Sequence, residues 1–312
     1  MLDYSAIPDQ KDHHHLGTRI NIATRSAHTK LNRSLLLRLP LALPPKATTP
    51  SVYVTGLVHV APIYIAFESK WRDIVNWEPT TDEEEVKTAS IEQLLDDVSL
   101  DNENENSEGD DGRPKTSPHM HSILKHLNLP VLERSARLKA DIRSITGWTE
   151  AEVDEQIRQA AERGELGKFI SHIKRSINEH PHVLLAYAWV LYMALFAGGR
   201  FIRGSLENAG AEFWDTTCEP VLPSRTPCNK PGPASPTSPQ NQKPLSICNF
   251  GPLSFFRFAG PQDGEDLKVE FKKRLLDSES RFSTKELDDI VYEATHIFDY
   301  MNSLVAQLDA VF

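Results

Sequence analysis

Residues 182–206 read HVLLAYAWVLYMALFAGGRFIRGSL. No residue from Val183 to Gly199 is charged, a run of 17 positions that has to be taken out of water. The run falls short of the roughly 20 residues that cross a bilayer core. It also carries Tyr187, Trp189 and Tyr192 in its middle, whereas membrane spans hold such rings at their ends. A buried core helix, and no integral membrane span, is the expected outcome. The helix then meets Gly198 and Gly199 and, at once, Arg200 and Arg203. Each interior glycine weakens a helix by about 0.5–1 kcal/mol relative to alanine. The pair therefore marks a close helix approach, a helix end, or a bend where a flat ligand lies against bare backbone. Arginines just past such a bend read as solvated surface.

The remaining periodicity is helical. Residues 16–39 carry an apolar stripe through Ile20, Ala23, Ala27, Leu31 and Leu35, closed by Pro40. Residues 50–76 form a long apolar helix, with Pro62 expected to kink it. Residues 117–147 give one or two helices ending at Gly147. Thr149 with Glu152, and Ser283 with Glu286, are capping boxes that open helices at 149–163 and 283–311. Helices at 165–177, 181–208 and 264–277 complete an all-α, multi-helical single domain.

Two segments interrupt it. Residues 79–115 are acidic and end DNENENSEGDDGRP; thirteen acids face one lysine between Asp82 and Asp111. This segment accounts for the net charge of −10, leaving the rest of the chain near neutral. Residues 211–248 hold eight prolines. Neither buries enough apolar surface to offset its ordering entropy, so both are read as disordered insertions, with a polar tail at 1–14. No basic domain emerges, which argues against a nucleic-acid partner. Cys218, Cys228 and Cys248 fit neither a zinc pattern nor a disulfide framework. The N-terminal sequence lacks the pattern of a signal peptide, and the C-terminal pattern is amphipathic rather than an apolar anchor. A cytoplasmic monomer is the expectation. The His13–His15 run reads as part of a polar tail, or as a weak metal binder.

His28, in AHTKLN, sits beside the Ala27–Leu31–Leu35 stripe. A histidine there is either a satisfied boundary residue or an axial ligand presented from a rigid helix, as in heme proteins. The combination of AHTKLN with YMALFAGGR (192–200) resembles the heme oxygenases, whose first helix offers a proximal His and whose glycine-rich distal helix covers the other heme face. IYIAFESK (63–70), LERSARLKADIRSITG (132–147), GPLSFFRF (251–258) and DLKVEFKKRL (266–275) resemble further segments of that family in the same order. The resemblance covers about 15–78, 116–210 and 249–312.

It implies heme as substrate and cofactor, with its iron held by His28. Gly198, Gly199 and Tyr64 fall on catalytic positions. Tyr192 falls on a distal-helix tyrosine, Lys268 and Lys272 on positions that pair with heme propionates, and Phe298 on a pocket aromatic. It also implies O₂ as co-substrate, an NADPH-dependent reductase as electron donor, and biliverdin, CO and iron as products. The sequence departs from the pattern in the distal polar set. Leu195 stands for the family's distal aspartate, Leu191 for its arginine, Ala197 for its serine. Asn32 replaces the acid that orients the proximal ligand, and Asn21 replaces a propionate lysine. Three readings follow: an oxygenase with a rewired distal side, a heme binder or regulator without turnover, and a heme-free helical interaction protein.

Overall fold

Capping chemistry and apolar spacing set the helix ends. The computed structural model describes residues 15–77, 116–214 and 251–309, and no strand occurs among them. The expected tail and most of both expected insertions, with all three cysteines, lie outside the described residues. The described helices are α1 (Leu16–Arg38), α2 (Ser51–Asn76), α3 (Pro118–Leu127), α4 (Ser135–Thr146), α5 (Glu150–Ala161), α6 (Gly164–Glu179), a bent α7 (Pro181–Glu207), α8 (Glu265–Ser278) and α9 (Thr284–Asp309). The span read as proline-rich from 211 begins differently: Ala211–Trp214 is one more helical turn, its Trp214 ring edge-on to Tyr53 at 5.3 Å. Two aromatic side chains in AEFW find apolar partners before the prolines begin.

Both capping boxes form. Thr149 accepts from the Glu152 N–H while Glu152 accepts from the Thr149 N–H, and Ser283 and Glu286 repeat the exchange. Gly147 ends α4 in the left-handed region, φ 72°. Helix α2 continues through Pro62 and packs against α4, α5 and α6, so it is the central element. Among the described residues, it and α7 are the two helices long and apolar enough to cross a membrane. In α7, 72% of the most apolar window is buried inside the fold, as a core helix requires.

Helix α1 packs chiefly on α9. Its buried stripe runs Leu16, Ile20, Thr24 and Leu31, so the sequence reading holds at Ile20 and Leu31 but not at Ala23 or Leu35, which are exposed. Thr24 takes the interior place because its hydroxyl donates to the Ile20 carbonyl at 2.8 Å, removing the cost of burying it. Gly17 permits the closest approach in this part of the fold. A Cβ there would sit 2.3 Å from the Trp189 ring, so α7 rests directly on the backbone of α1.

A buried carboxylate anchors the segment before α8. Asp141 accepts from the backbone N–H groups of Ser254 (2.9 Å) and Phe255 (2.8 Å) and from the Ser254 hydroxyl. Burial pushes its carboxyl up to about 6, against the opposing pull of these hydrogen bonds. A folded-state pKa above the unfolded one means that this group's contribution to stability is full below about pH 4 and is lost as pH rises through 6. Relative to Asp141→Asn, the wild type should therefore lose on the order of 2–3 kcal/mol between pH 4 and 7. Denaturant titrations of both proteins across that range check this; a pH-independent difference would refute it.

Candidate functional site

The uncharged run does not form a regular α-helix. After a 3₁₀ turn at Pro181–Val183 and an α turn at Leu184–Tyr187, α7 widens into two π turns, Ala188–Tyr192 and Leu195–Gly199. Widened turns shift carbonyls out of the i+4 register and bend the helix. The Tyr64 hydroxyl meets one of them, donating to the Leu191 carbonyl at 3.0 Å. Beyond the bend, Arg200 and Arg203 are not free surface cations. Arg200 bonds Glu265 and the Asp263 carbonyl, and Arg203 bonds the Asp263 carboxylate at 2.6 Å. They hold the end of α7 to the loop that starts α8, a pairing that sequence spacing alone cannot reveal.

The two sides of α7 differ in character. On the inner side, Leu191, Tyr192 and Leu195 are buried. Tyr192 donates to Glu68 Oε1 at 3.1 Å and is 2% exposed. Burial, then the nearby Glu68 charge, push the Tyr64 and Tyr192 hydroxyls far above their ordinary pKa, so both are fixed donors. Tyr192 is therefore a core residue, a correction to its expected place among ligand contacts. Tyr64 acts on the bend through backbone rather than reaching the open face.

The outer side is apolar and uncovered. Ala194, Ala197, Gly198 and Phe201 are exposed and Met193 is half-buried. A Cβ built on Gly198 meets nothing within 4 Å, and one on Gly199 meets only ordinary contacts within α7 at 3.4–3.5 Å. Gly198 is thus not a helix-packing device, whereas Gly199 is buried.

His28 lies on α1, which meets α7 at Trp189 and Val190. It is exposed, not a core histidine, and its ring meets the Phe298 ring edge-on at 5.7 Å and 88°. Its nitrogens make no hydrogen bond among the described residues. Its neighbours Ala27 and Leu31 form a small apolar cluster with Phe298, Met301 and Val305, and Val190 of α7 packs into that cluster. The helices α1 and α7 therefore touch through Gly17–Trp189 and through Val190, and beyond Val190 the face of α7 is bare. The Val190 cluster thus joins the helix that carries the exposed imidazole to the helix that carries the small residues, with an aromatic ring contributed by α9.

At the Trp189 side, the Lys272 ammonium lies 5.8 Å from the indole ring centre. Lys268 is engaged with Glu265 at 2.7 Å. Asn21 accepts from the Trp189 N–H at 3.2 Å. Of the expected site residues, His28 and Phe298 meet each other, Gly198 lies on the uncovered face of α7, Lys272 meets Trp189, Gly199 is buried, Tyr64 and Tyr192 bond on the inner side of α7, and Lys268 is paired. Sequence reasoning missed Gly17 and Glu68. A lone acid in the apolar string IYIAFESK was a usable signal for Glu68; a glycine near a helix start gave none for Gly17.

The sequence model of the heme oxygenase family matches residues 116–307. The chain belongs to the heme oxygenase family. Heme-binding protein HMX1 of Saccharomyces cerevisiae is 25% identical over 311 residues, covering 97% of this chain and 78% of that protein. Among solved structures, heme oxygenase 2 of Chlamydomonas reinhardtii without heme aligns with a TM-score of 0.56 at 13% identity, covering 94% of this chain and 97% of its own. Heme oxygenase-1 of the cyanobacterium Synechocystis, in complex with heme, gives the same TM-score and identity over 95% and 93%. At such identities these structures share the fold, and the fold is the all-α heme oxygenase architecture.

Proposed function

We propose that this family member binds heme in the slot between α1 and α7, with His28 as axial ligand, and oxidises it to biliverdin, CO and iron. The observation that carries the reading is the bare face at Gly198, together with an exposed histidine on α1 that has no hydrogen-bond partner among the described residues. The residues suit a porphyrin. Its faces are flat and apolar, and Ala194, Ala197 and Gly198 offer a flat, apolar surface where backbone approaches closely. Its acidic edge suits Lys272, a cation able to pair with a propionate. A neutral imidazole leaves the iron without the electron push of a thiolate. Bound heme supplies both the iron that takes up O₂ and the macrocycle that is oxidised, with electrons from an NADPH-dependent reductase. The chain's own contribution is orientation and exclusion of water: Tyr64 holds the bend, and Leu191 and Leu195 keep the inner side dry.

A second reading, heme retention without turnover, has a specific observation behind it. Buried water needs about 2–4 polar partners. The Tyr64, Tyr192 and Trp189 donors are all engaged by protein acceptors, and leucines hold the aspartate and arginine positions. One experiment separates the readings. Hemin is titrated into the protein, then NADPH, a cytochrome reductase, catalase and air are added. A one-to-one Soret band that decays into biliverdin absorbance supports oxygenation. A band that persists supports retention, and no band removes heme altogether.

Gly198→Leu tests the slot itself. The new side chain meets no protein atom at its Cβ, and leucine is the better helix former by under about 1 kcal/mol. The variant should keep or slightly raise Tm while hemin affinity falls at least tenfold. A normal Soret titration from a folded Gly198→Leu protein would remove heme from this face.

A further inference from the structure

Away from the slot, α6 and α9 bring three metal-ligating side chains together. His172 comes from α6, and Glu293 and His296 come from α9. The i, i+3 spacing sets the last two on one helix face. A ligand atom from each residue lies within 4.8 Å of the others. His172 Nε2 is 2.9 Å from Glu293 Oε1, and the His172 and His296 ring centres are 5.7 Å apart. The His172 and Glu293 side chains are only 12% and 7% exposed. Glu293 is further held by the hydroxyls of Ser176, at 3.1 Å, and Tyr187. All three bonds fall on Oε1, which leaves Oε2 without a hydrogen bond among the described residues.

A structural ion pair accounts for His172 and Glu293 but not for the second imidazole beside them. Two imidazoles and one carboxylate are the donor set of zinc-class and non-heme iron sites. Glu and His three residues apart, facing a ligand from another helix, is a metal-binding arrangement that helix bundles use. Bond lengths of about 2.0–2.2 Å place donors on a tetrahedral ion roughly 3.3 Å apart. The longest edge of the cluster therefore has to close by about 1.5 Å, a distance that rotation of the half-buried His296 side chain covers. The Tyr187 and Ser176 hydroxyls already fix the carboxylate, which is the role of outer-shell partners in metal sites.

We infer that His172, Glu293 and His296 form a site for a divalent cation of the zinc class, which ties α6 to α9 and completes its coordination with water. The site stands independently of heme. The test uses the full chain with His13, His14 and His15 changed to Asn, so that the histidine run does not compete, and freed of metal by a chelator. Titration with Co²⁺ alone should give one equivalent of visible d–d absorption that Zn²⁺ displaces, and Zn²⁺ should raise Tm. His296→Gln should weaken Co²⁺ at least tenfold with an unchanged metal-free circular dichroism spectrum, because the His172–Glu293–Tyr187 contacts remain. His296→Cys, which keeps a ligand, should retain the one-to-one site and add a sulfur-to-cobalt charge-transfer band near the ultraviolet. Absence of the Co²⁺ band, a band that His296→Gln leaves unchanged, or a Cys variant without charge transfer overturns the site.

Discussion

His28→Ala should remove the axial-ligand Soret spectrum and weaken hemin binding on the order of 100-fold, about 2.7 kcal/mol, while the fold stays intact. The fold is spared because His28 is exposed and meets the Phe298 ring edge-on at 5.7 Å. A surface substitution away from packing or buried hydrogen bonds costs within about 0.5 kcal/mol. Binding suffers because no other imidazole lies on this turn of α1; the neighbouring residues are Ala27, Thr29 and Leu31. Free imidazole added to the variant should restore the His-ligated spectrum, since the slot remains open at the vacated position. Hemin titration followed by optical spectroscopy, with and without imidazole, is the measurement. A variant that keeps the wild-type spectrum and affinity would assign the iron to another ligand.

The distal side shows how far sequence reading reaches. The uncharged run gave a buried helix because hydropathy is a local property, while the glycine pair left a close approach, a helix end and a bend open. The kind of bend was not local. In the first π turn a hydroxyl from α2 meets the Leu191 carbonyl, a contact between residues 127 positions apart. The capping boxes were legible because their partners are three residues apart. The direction of Tyr192 was not: its hydroxyl turns inward because Glu68, on α2, waits there. Lys268, which the resemblance put on a propionate-pairing position, is engaged by the acid three residues earlier, a local pairing that the sequence reading passed over. The Arg200 and Arg203 pairs depend on a loop some 60 residues on, beyond the proline-rich stretch. The site residues with local signals, His28 and Gly198, are those whose exposure the fold preserves.

Arg134→Ala should cost about 3–5 kcal/mol of stability, the opposite profile to His28→Ala. Arg134 has no exposed surface, and its guanidinium donates to the carbonyls of Leu132 (2.8 Å), Arg257 (2.9 Å) and Val131 (2.7 Å). Its guanidinium carbon stacks 4.0 Å from the Phe258 ring centre. Burial lowers its pKa to about 10, still well above neutrality, so the charge persists and must be satisfied. Its backbone N–H also donates to Glu68 Oε1 at 2.7 Å, the same oxygen that Tyr192 reaches from α7. Truncation leaves the Leu132 and Val131 carbonyls without the guanidinium, leaves Arg137 on the Arg257 carbonyl, and opens a void beneath Phe258, at the junction of α2, α4 and the segment before α8. A fall in Tm on the order of 10 °C follows for a chain of this size. Arg134→Lys keeps the charge but not the planar fork, and should recover only part of the loss. No Arg134 atom contacts His28 or Gly198 among the described residues, so hemin affinity measured on the folded fraction should stay within about twofold. If Arg134→Ala instead loses hemin binding at full stability, the buried cluster is part of the slot, and the division between a rigid inner side and a ligand-facing outer side of α7 fails.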